Sequence, residues 1–273
     1  MTRAVVITGA GSGIGLATAI EAARLGFRAV AAVHRPEQVN GVRAAAAEAG
    51  VDVDAEVLDV TDDAAAAALL DHVEPWAIVT GAGYMNAGLI EDVPIDDARR
   101  QLDVMLLAPA RLVQLGLPGM RRRGGGRFVV VSSPLGEATL PTQGWYSATK
   151  RALSALADGL RVELIDDAID VVLVEPGAAD TPLWEKARVQ LVERRRRSAR
   201  PEVYDRAIAI HDEVRARAAD PADVADVVGT ALRAAHPRYR YRTSAAAVPF
   251  AAAARVVPTS VRDRVVRTLG GMG

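Results

Sequence analysis

Ala4-Val5-Val6-Ile7-Thr8-Gly9-Ala10-Gly11-Ser12-Gly13-Ile14-Gly15 passes from an unbroken apolar run into glycines at alternate positions, and then into the alanine-rich segment Leu16–Leu25. A continuously apolar strand is one buried on both faces, as in a parallel sheet. Glycines at its end permit a sharp turn and let an anion's oxygens approach backbone N–H groups, while the helix beyond presents its positive end to the same place. Strand, glycine turn and helix in this order predict a pyrophosphate site built from Gly9, Gly11, Ser12, Gly13, Ile14 and Gly15. Taken alone, such a turn also occurs at βα junctions that need glycine only for packing.

Outward from this unit, short β-branched runs alternate with longer helical stretches, the pattern of βαβ crossovers. Strands are expected near Arg3–Thr8, Arg28–His34, Val53–Leu58, Trp76–Thr80, Arg127–Ser132 and Ile169–Val174, with a seventh near Arg238–Thr243. Helices are expected near Gly13–Leu25, Gln38–Ala49, Asp62–His72, Asp97–Met120 and Gly144–Ile165. The predicted fold class is α/β: a doubly wound Rossmann fold, about seven strands in a mostly parallel sheet. All 273 residues fit one domain of this kind. From Pro182 to Ala219 the chain is helical and arginine-rich outside the alternation, which marks a substrate-covering insertion at about 182–219, followed by a C-terminal extension at about 237–273.

The 33 basic and 34 acidic side chains nearly cancel, so no net charge draws the chain to nucleic acid or to an anionic membrane. Absence of cysteine excludes a thiolate nucleophile and a disulfide scaffold, and fits a reducing, cytoplasmic setting. The apolar start is too short for a signal peptide, and no run reaches the length of a membrane span. Ala245–Val257 comes nearest but contains Pro249 and Arg255, and reads as an amphipathic lid or contact surface. His34, His72, His211 and His236 have no spacing that would place two of them on one metal.

The end of the second strand chooses between dinucleotides: a carboxylate there binds a ribose hydroxyl, a basic group a 2′-phosphate. Here it reads His34-Arg35-Pro36, which favours NADP over NAD, although Arg35 could also simply solvate a loop. Asp59 and Val60 end the third strand beside the expected adenine, and Asp59 could equally cap the next helix. Tyr146 and Lys150 stand four apart, on one helical face, where an ammonium would help a phenol exchange protons. Ser133 ends the preceding strand, within reach of a substrate oxygen at the same sheet edge.

Together these residues resemble the short-chain dehydrogenase/reductase family over Arg3–Leu183. Its TGxxxGxG turn is Thr8–Gly15, its Ser and YxxxK residues are Ser133, Tyr146 and Lys150, and its PGxxxT segment is Pro176-Gly177-Ala178-Ala179-Asp180-Thr181. The resemblance implies that Tyr146 is the acid/base, that Lys150 lowers its pKa and binds a ribose, and that Ser133 polarises the carbonyl. Pro176, Gly177, Ala179 and Thr181 would hold the nicotinamide. Two positions depart from the family. Its NNAG motif is here Thr80-Gly81-Ala82-Gly83, so Thr80, Ala82 and Gly83 would line the cofactor without either amide. Met105 aligns with the tetrad asparagine that helps hold a water behind the lysine, so that relay must be rebuilt or impaired.

Beyond Thr181 the reading rests on weaker signals. Leu135, Leu140 and Trp145 suggest an apolar wall and hence a small lipophilic substrate, loosely in the manner of the steroid and retinoid branch. Arg194–Arg197 would either grip an anionic substrate tail or face solvent. The resemblance implies a homodimer or homotetramer through the two long helices, which must also pack on their own sheet. The expected activity is NAD(P)-dependent interconversion of an alcohol and its carbonyl. The alternatives are a catalytically weakened dinucleotide sensor or partner protein, and an epimerase or dehydratase on the same cofactor site.

Overall fold

The computed structural model describes residues 2–243 and 257–269. Its sheet has seven strands: β1 (Ala4–Thr8), β2 (Arg28–Val33), β3 (Asp54–Val57), β4 (Ala77–Thr80), β5 (Gly126–Val131), β6 (Ile169–Glu175) and β7 (Arg240–Arg242). They lie in the order β3-β2-β1-β4-β5-β6-β7, and every pairing is parallel. The chain leaves β1 toward β2 on one side and later returns to place β4 on the other. The loops after β1 and β4 therefore part at the carboxyl edge and open a crevice there.

Alternation along each strand builds two cores. Ala4, Val6, Phe128, Val130, Val171 and Leu173 face one side, under α3 (Asp63–Val73), α5 (Ala108–Arg122) and α6 (Gly144–Glu163). Val5, Ile7, Val129, Val131, Val172 and Val174 face the other, under α1 (Gly13–Arg24), α2 (Glu37–Glu48) and α9 (Pro221–Arg233). Each fully buried aliphatic side chain contributes about 1.5–3 kcal/mol, so the sheet is the main source of stability. The insertion after Thr181 forms α7 (Pro182–Arg195) and α8 (Pro201–Arg215).

Three expectations are revised. The helix expected over Asp97–Met120 is α4 (Ile95–Leu102), a π turn at Asp103–Leu107, and then α5. Pro109 has no N–H to give the Met105 carbonyl four residues back, and the ladder widens so that Ala108 N–H bonds the Asp103 carbonyl. Helix α9 was not anticipated, yet it is core: Val224, Val228 and Leu232 are buried with α1 residues Ala19 and Ala22. Its start is written as Asp220, whose carboxylate accepts from Ala222 N–H, followed by Pro221 in the first turn. Finally, Asp62 rather than Asp59 caps α3, accepting from Ala65 N–H. The stretch Ala245–Val257 lies, but for Val257, outside the described residues. Among the described residues no helix is long and apolar enough to cross a membrane.

Candidate active site

The glycine turn is fixed by sterics. Gly9 and Gly13 have φ of +70° and +53°, a region that side chains disfavour. A Cβ on Gly9 would stand 2.7 Å from the Ala82 Cα, one on Gly13 2.7 Å from the Thr181 Cγ2, and one on Gly15 2.3 Å from the Gly9 carbonyl oxygen. Gly9, Gly13 and Gly15 thus carry no side chain because β4's loop, Thr181 and the turn's own backbone occupy that space. Ser12 precedes α1 in extended backbone without a side-chain cap, which leaves the first-turn N–H groups for a ligand. At the end of β4 the Thr80 hydroxyl is buried without a hydrogen-bond partner in the protein. A bare N–H cradle and an orphaned buried hydroxyl fit the phosphates and polar edge of a dinucleotide.

Thr8 braces β1 against the Thr80-Gly81-Ala82-Gly83 segment. Its Oγ1 accepts from Gly81 N–H at 3.1 Å and Ala82 N–H at 3.3 Å, and donates to the Val79 carbonyl at 3.4 Å, tying β1 to β4 across the crevice. At the adenine end, His34 and Arg35 are exposed, and His34 Nδ1 lies 3.9 Å from the Asp59 carboxylate. Asp59 accepts from both the N–H and the hydroxyl of Thr61, and the backbone bond chiefly holds its carboxyl below the ordinary range. The Val60 side chain packs in the core and its carbonyl receives Arg111. Gln38, not foreseen, accepts from Arg35 N–H at 3.1 Å and lays its amide over Gly11. In the PGxxxT segment Gly177 N–H bonds the Thr243 hydroxyl, and the Ala179 carbonyl accepts from the Trp184 indole. The Thr181 hydroxyl does not cap α7, and its methyl faces Gly13, so the two halves of the cleft meet there.

Ser133, Tyr146 and Lys150 converge just past the end of β5, all buried. The Ser133 hydroxyl lies close enough to the Tyr146 phenol to favour its ionised form, and accepts from Leu135 N–H at 3.2 Å. Lys150 Nζ donates to the Val131 carbonyl at 2.8 Å and lies 5.7 Å from the centre of the Tyr146 ring. Burial pushes the phenol up to about 12, against a smaller lowering by Ser133, and pushes the ammonium down to about 8. In this arrangement burial outweighs the help from lysine that the family resemblance implies. The phenol is protonated at neutral pH.

Met105 is buried beside Gly83, and its sulfur accepts from Tyr84 N–H at 3.4 Å. It belongs to an apolar cluster with Met85, Tyr146, Leu191 and Tyr204, which joins the tyrosine to the covering helices. Those helices are latched to the loop after β4. Gln190 accepts from Ala87 N–H at 2.9 Å, Arg194 donates to the Ala87 carbonyl at 2.7 Å and meets Asp97 at 3.1 Å, and Tyr204 accepts from Leu89 N–H while donating to Asp92 at 2.7 Å. Arg194 is therefore committed to this latch, and Arg195 to Asp205; Arg196 and Arg197 face solvent. The wide cleft of about 780 Å³ lies elsewhere, at the amino edge of the sheet. Two of its arginines bond backbone carbonyls there: Arg127 that of Leu232 in the last turn of α9, and Arg123 that of Pro75 before β4.

A doubly wound sheet with a glycine cradle and a buried Ser/Tyr/Lys group at its carboxyl edge defines a class of dinucleotide-dependent oxidoreductase scaffolds. A sequence model described as short chain dehydrogenase matches residues 3–191. The uncharacterized oxidoreductase YusZ of Bacillus subtilis is 30% identical over 82% of this chain and 82% of its own. Human 17-beta-hydroxysteroid dehydrogenase type 1 is 33% identical over 91% of this chain and 80% of its own. A crystal structure of a single-residue variant of actinorhodin polyketide ketoreductase with NADPH superposes with a TM-score of 0.70 at 26% identity, covering 84% of this chain and 89% of that one. The chain belongs to the short-chain dehydrogenase family of oxidoreductases.

Proposed function

We propose that this protein is an NADP-preferring reductase or dehydrogenase that interconverts a lipophilic alcohol and its carbonyl. The observation that carries the reading is the meeting of Ser133, Tyr146 and Lys150, all buried, at the same carboxyl edge of the sheet as the glycine turn Gly9–Gly15. The bound nicotinamide dinucleotide supplies or accepts the hydride. In the reducing direction Ser133 donates a hydrogen bond to the substrate oxygen, and Tyr146, protonated at neutral pH, passes its phenolic proton to that oxygen as the C–H bond forms. The Lys150 ammonium supports the phenolate left behind and binds a ribose. In the oxidising direction the proton returns to Tyr146.

Arg35, with no carboxylate at the end of β2, supports a 2′-phosphate on the adenosine. The apolar cluster of Met85, Met105, Leu191 and Tyr204 around Tyr146 supports a substrate with hydrocarbon bulk, and the name of the human relative points the same way. Exposed apolar side chains at Leu107, Leu156, Val162 and Ile165, on the π turn and along and just past α6, support a homo-oligomer. Absence of cysteine is consistent with work in the cytoplasm.

The test mixes purified protein with NADPH or NADH and a series of ketones of rising hydrophobicity, following cofactor absorbance. NADPH is consumed faster, and Tyr146→Phe lowers turnover about 10³-fold with cofactor affinity retained. Binding of NADPH without turnover of any ketone or alcohol would refute the enzyme reading in favour of a dinucleotide sensor.

A further inference from the structure

Gln101 sits one helical turn before Met105, in the last turn of α4, and is fully buried. Its Oε1 accepts from Asn86 N–H at 2.8 Å, and its Nε2 donates to Thr149 Oγ1 at 3.0 Å. Thr149, also fully buried, donates its hydroxyl proton to the Trp145 carbonyl at 2.7 Å. The direction of this chain is fixed. Thr149 spends its only proton on Trp145 and must accept from Gln101; turning the amide over would set its NH₂ against Asn86 N–H. Asn86 continues the chain, donating from Nδ2 to the Asp97 carbonyl at 2.7 Å and accepting from Arg194 at 3.4 Å. One buried amide thus links the latch of the covering helices to the helix turn that carries Tyr146 and Lys150.

We propose that Gln101 is a positioning residue: it holds the first turn of α6 against the loop after β4, so that Tyr146 keeps its place relative to Ser133. This rests on the oxidoreductase reading above. Trp145, whose carbonyl is pinned, precedes the catalytic tyrosine, and Thr149 precedes the lysine. Proton transfer depends steeply on such placement, whereas the dinucleotide phosphates are held at the far end of the crevice by Gly9–Gly15. Gln101 should therefore govern turnover and not cofactor affinity.

Gln101→Met keeps the side chain's length without its hydrogen bonds, Thr149→Val removes the partner hydroxyl, and Thr149→Ser keeps it. We expect Gln101→Met and Thr149→Val each to lower kcat about 10-fold, the equivalent of one lost hydrogen bond, while NADPH affinity read by fluorescence titration changes less than about twofold. The double variant is no slower than the slower single one, and Thr149→Ser recovers most of the rate lost in Thr149→Val. Unchanged kcat in Gln101→Met, additive losses in the double variant, or a loss that tracks cofactor affinity overturns the proposal. If Gln101→Met does not fold, the two Thr149 variants decide. If the unaltered protein reduces no ketone, it is the oxidoreductase reading that fails. Amide hydrogen exchange across Trp145–Lys150 then judges Gln101: faster exchange in the variants supports its positioning role, and unchanged exchange overturns it.

Discussion

At Gly9 and Gly15 the backbone leaves no choice of residue, whereas at Met105, across the crevice, where the family resemblance implies an asparagine, a methionine sits in a wall braced by other side chains. The first region is governed by short-range exclusion. At Gly9 and Gly15 the neighbours are backbone atoms, which cannot rotate away, so a side chain there collides. The second is governed by hydrogen bonds of long sequence reach: Thr8 to Gly81 and Ala82, Asn86 to Gln101, Gln101 to Thr149. A steric constraint can be met in one way. A bracing constraint can be met by several side chains placed differently, so individual residues there can drift while the geometry persists.

The largest effect that would break this contrast belongs to Gly15→Ala. Its methyl would lie 2.3 Å from the Gly9 carbonyl oxygen, and either the turn or the start of α1 must move. We expect dinucleotide affinity to fall at least 100-fold, about 3 kcal/mol or more, with a lowered melting temperature, both read by titration and thermal unfolding. Near-native affinity in Gly15→Ala would mean that the turn tolerates a side chain and that the two walls do not differ in kind.

The same contrast explains what could be read from the sequence. The alternating strands, the glycine turn and the Ser133, Tyr146 and Lys150 group are set by local pattern and chemistry; the strands form the expected sheet, and the turn and the group lie at its carboxyl edge. Helix α9 was missed although Asp220-Pro221 announces a helix start, because its apolar stripe follows an insertion that had broken the βα rhythm. The π turn was legible in principle from Pro109, but a proline in the first turns of a long apolar helix also reads as an ordinary helix start. Gln101 and Thr149 could not be paired from sequence. They lie 48 residues apart, and a glutamine on a helix is ordinarily a surface residue.

Lys150 brings the next effect, with a sign opposite to that of the glycines. The turn is compatible with the fold, while the buried ammonium is a cost the fold carries for its chemistry. Burial lowers the Lys150 pKa from 10.5 to about 8. Below pH 8 the group is protonated in both folded and unfolded chains, and the folded one bears the full desolvation cost, roughly 3 kcal/mol less what the bond to the Val131 carbonyl returns. Between pH 8 and 10.5 the folded chain releases its proton first, so the cost shrinks, and above 10.5 it is gone. Lys150→Met should therefore be more stable than the unaltered protein at pH 7, with the gap closing as pH rises through this window. Tyr146, whose burial disfavours ionisation above pH 10, is common to both proteins and cancels in the comparison. Denaturant unfolding at pH 7 and pH 10.5 measures the gap; a gap that widens with pH contradicts the assignment.

Met105→Asn is the smallest expected effect and the sharpest test of a rebuilt wall. The substitution introduces the asparagine that the family resemblance implies at this position, so if the methionine had impaired the proton path, kcat should rise sharply. One feature argues that it will not. The amide that braces this wall is already supplied one turn earlier by Gln101, with both of its polar atoms bonded. A shorter polar side chain would also give up thioether contacts in the cluster with Met85, Tyr146 and Tyr204. We expect kcat to stay within about threefold and stability to fall by about 1–2 kcal/mol. A tenfold rise in kcat would show that Met105 limits proton transfer, and that the wall was weakened where it lost its asparagine.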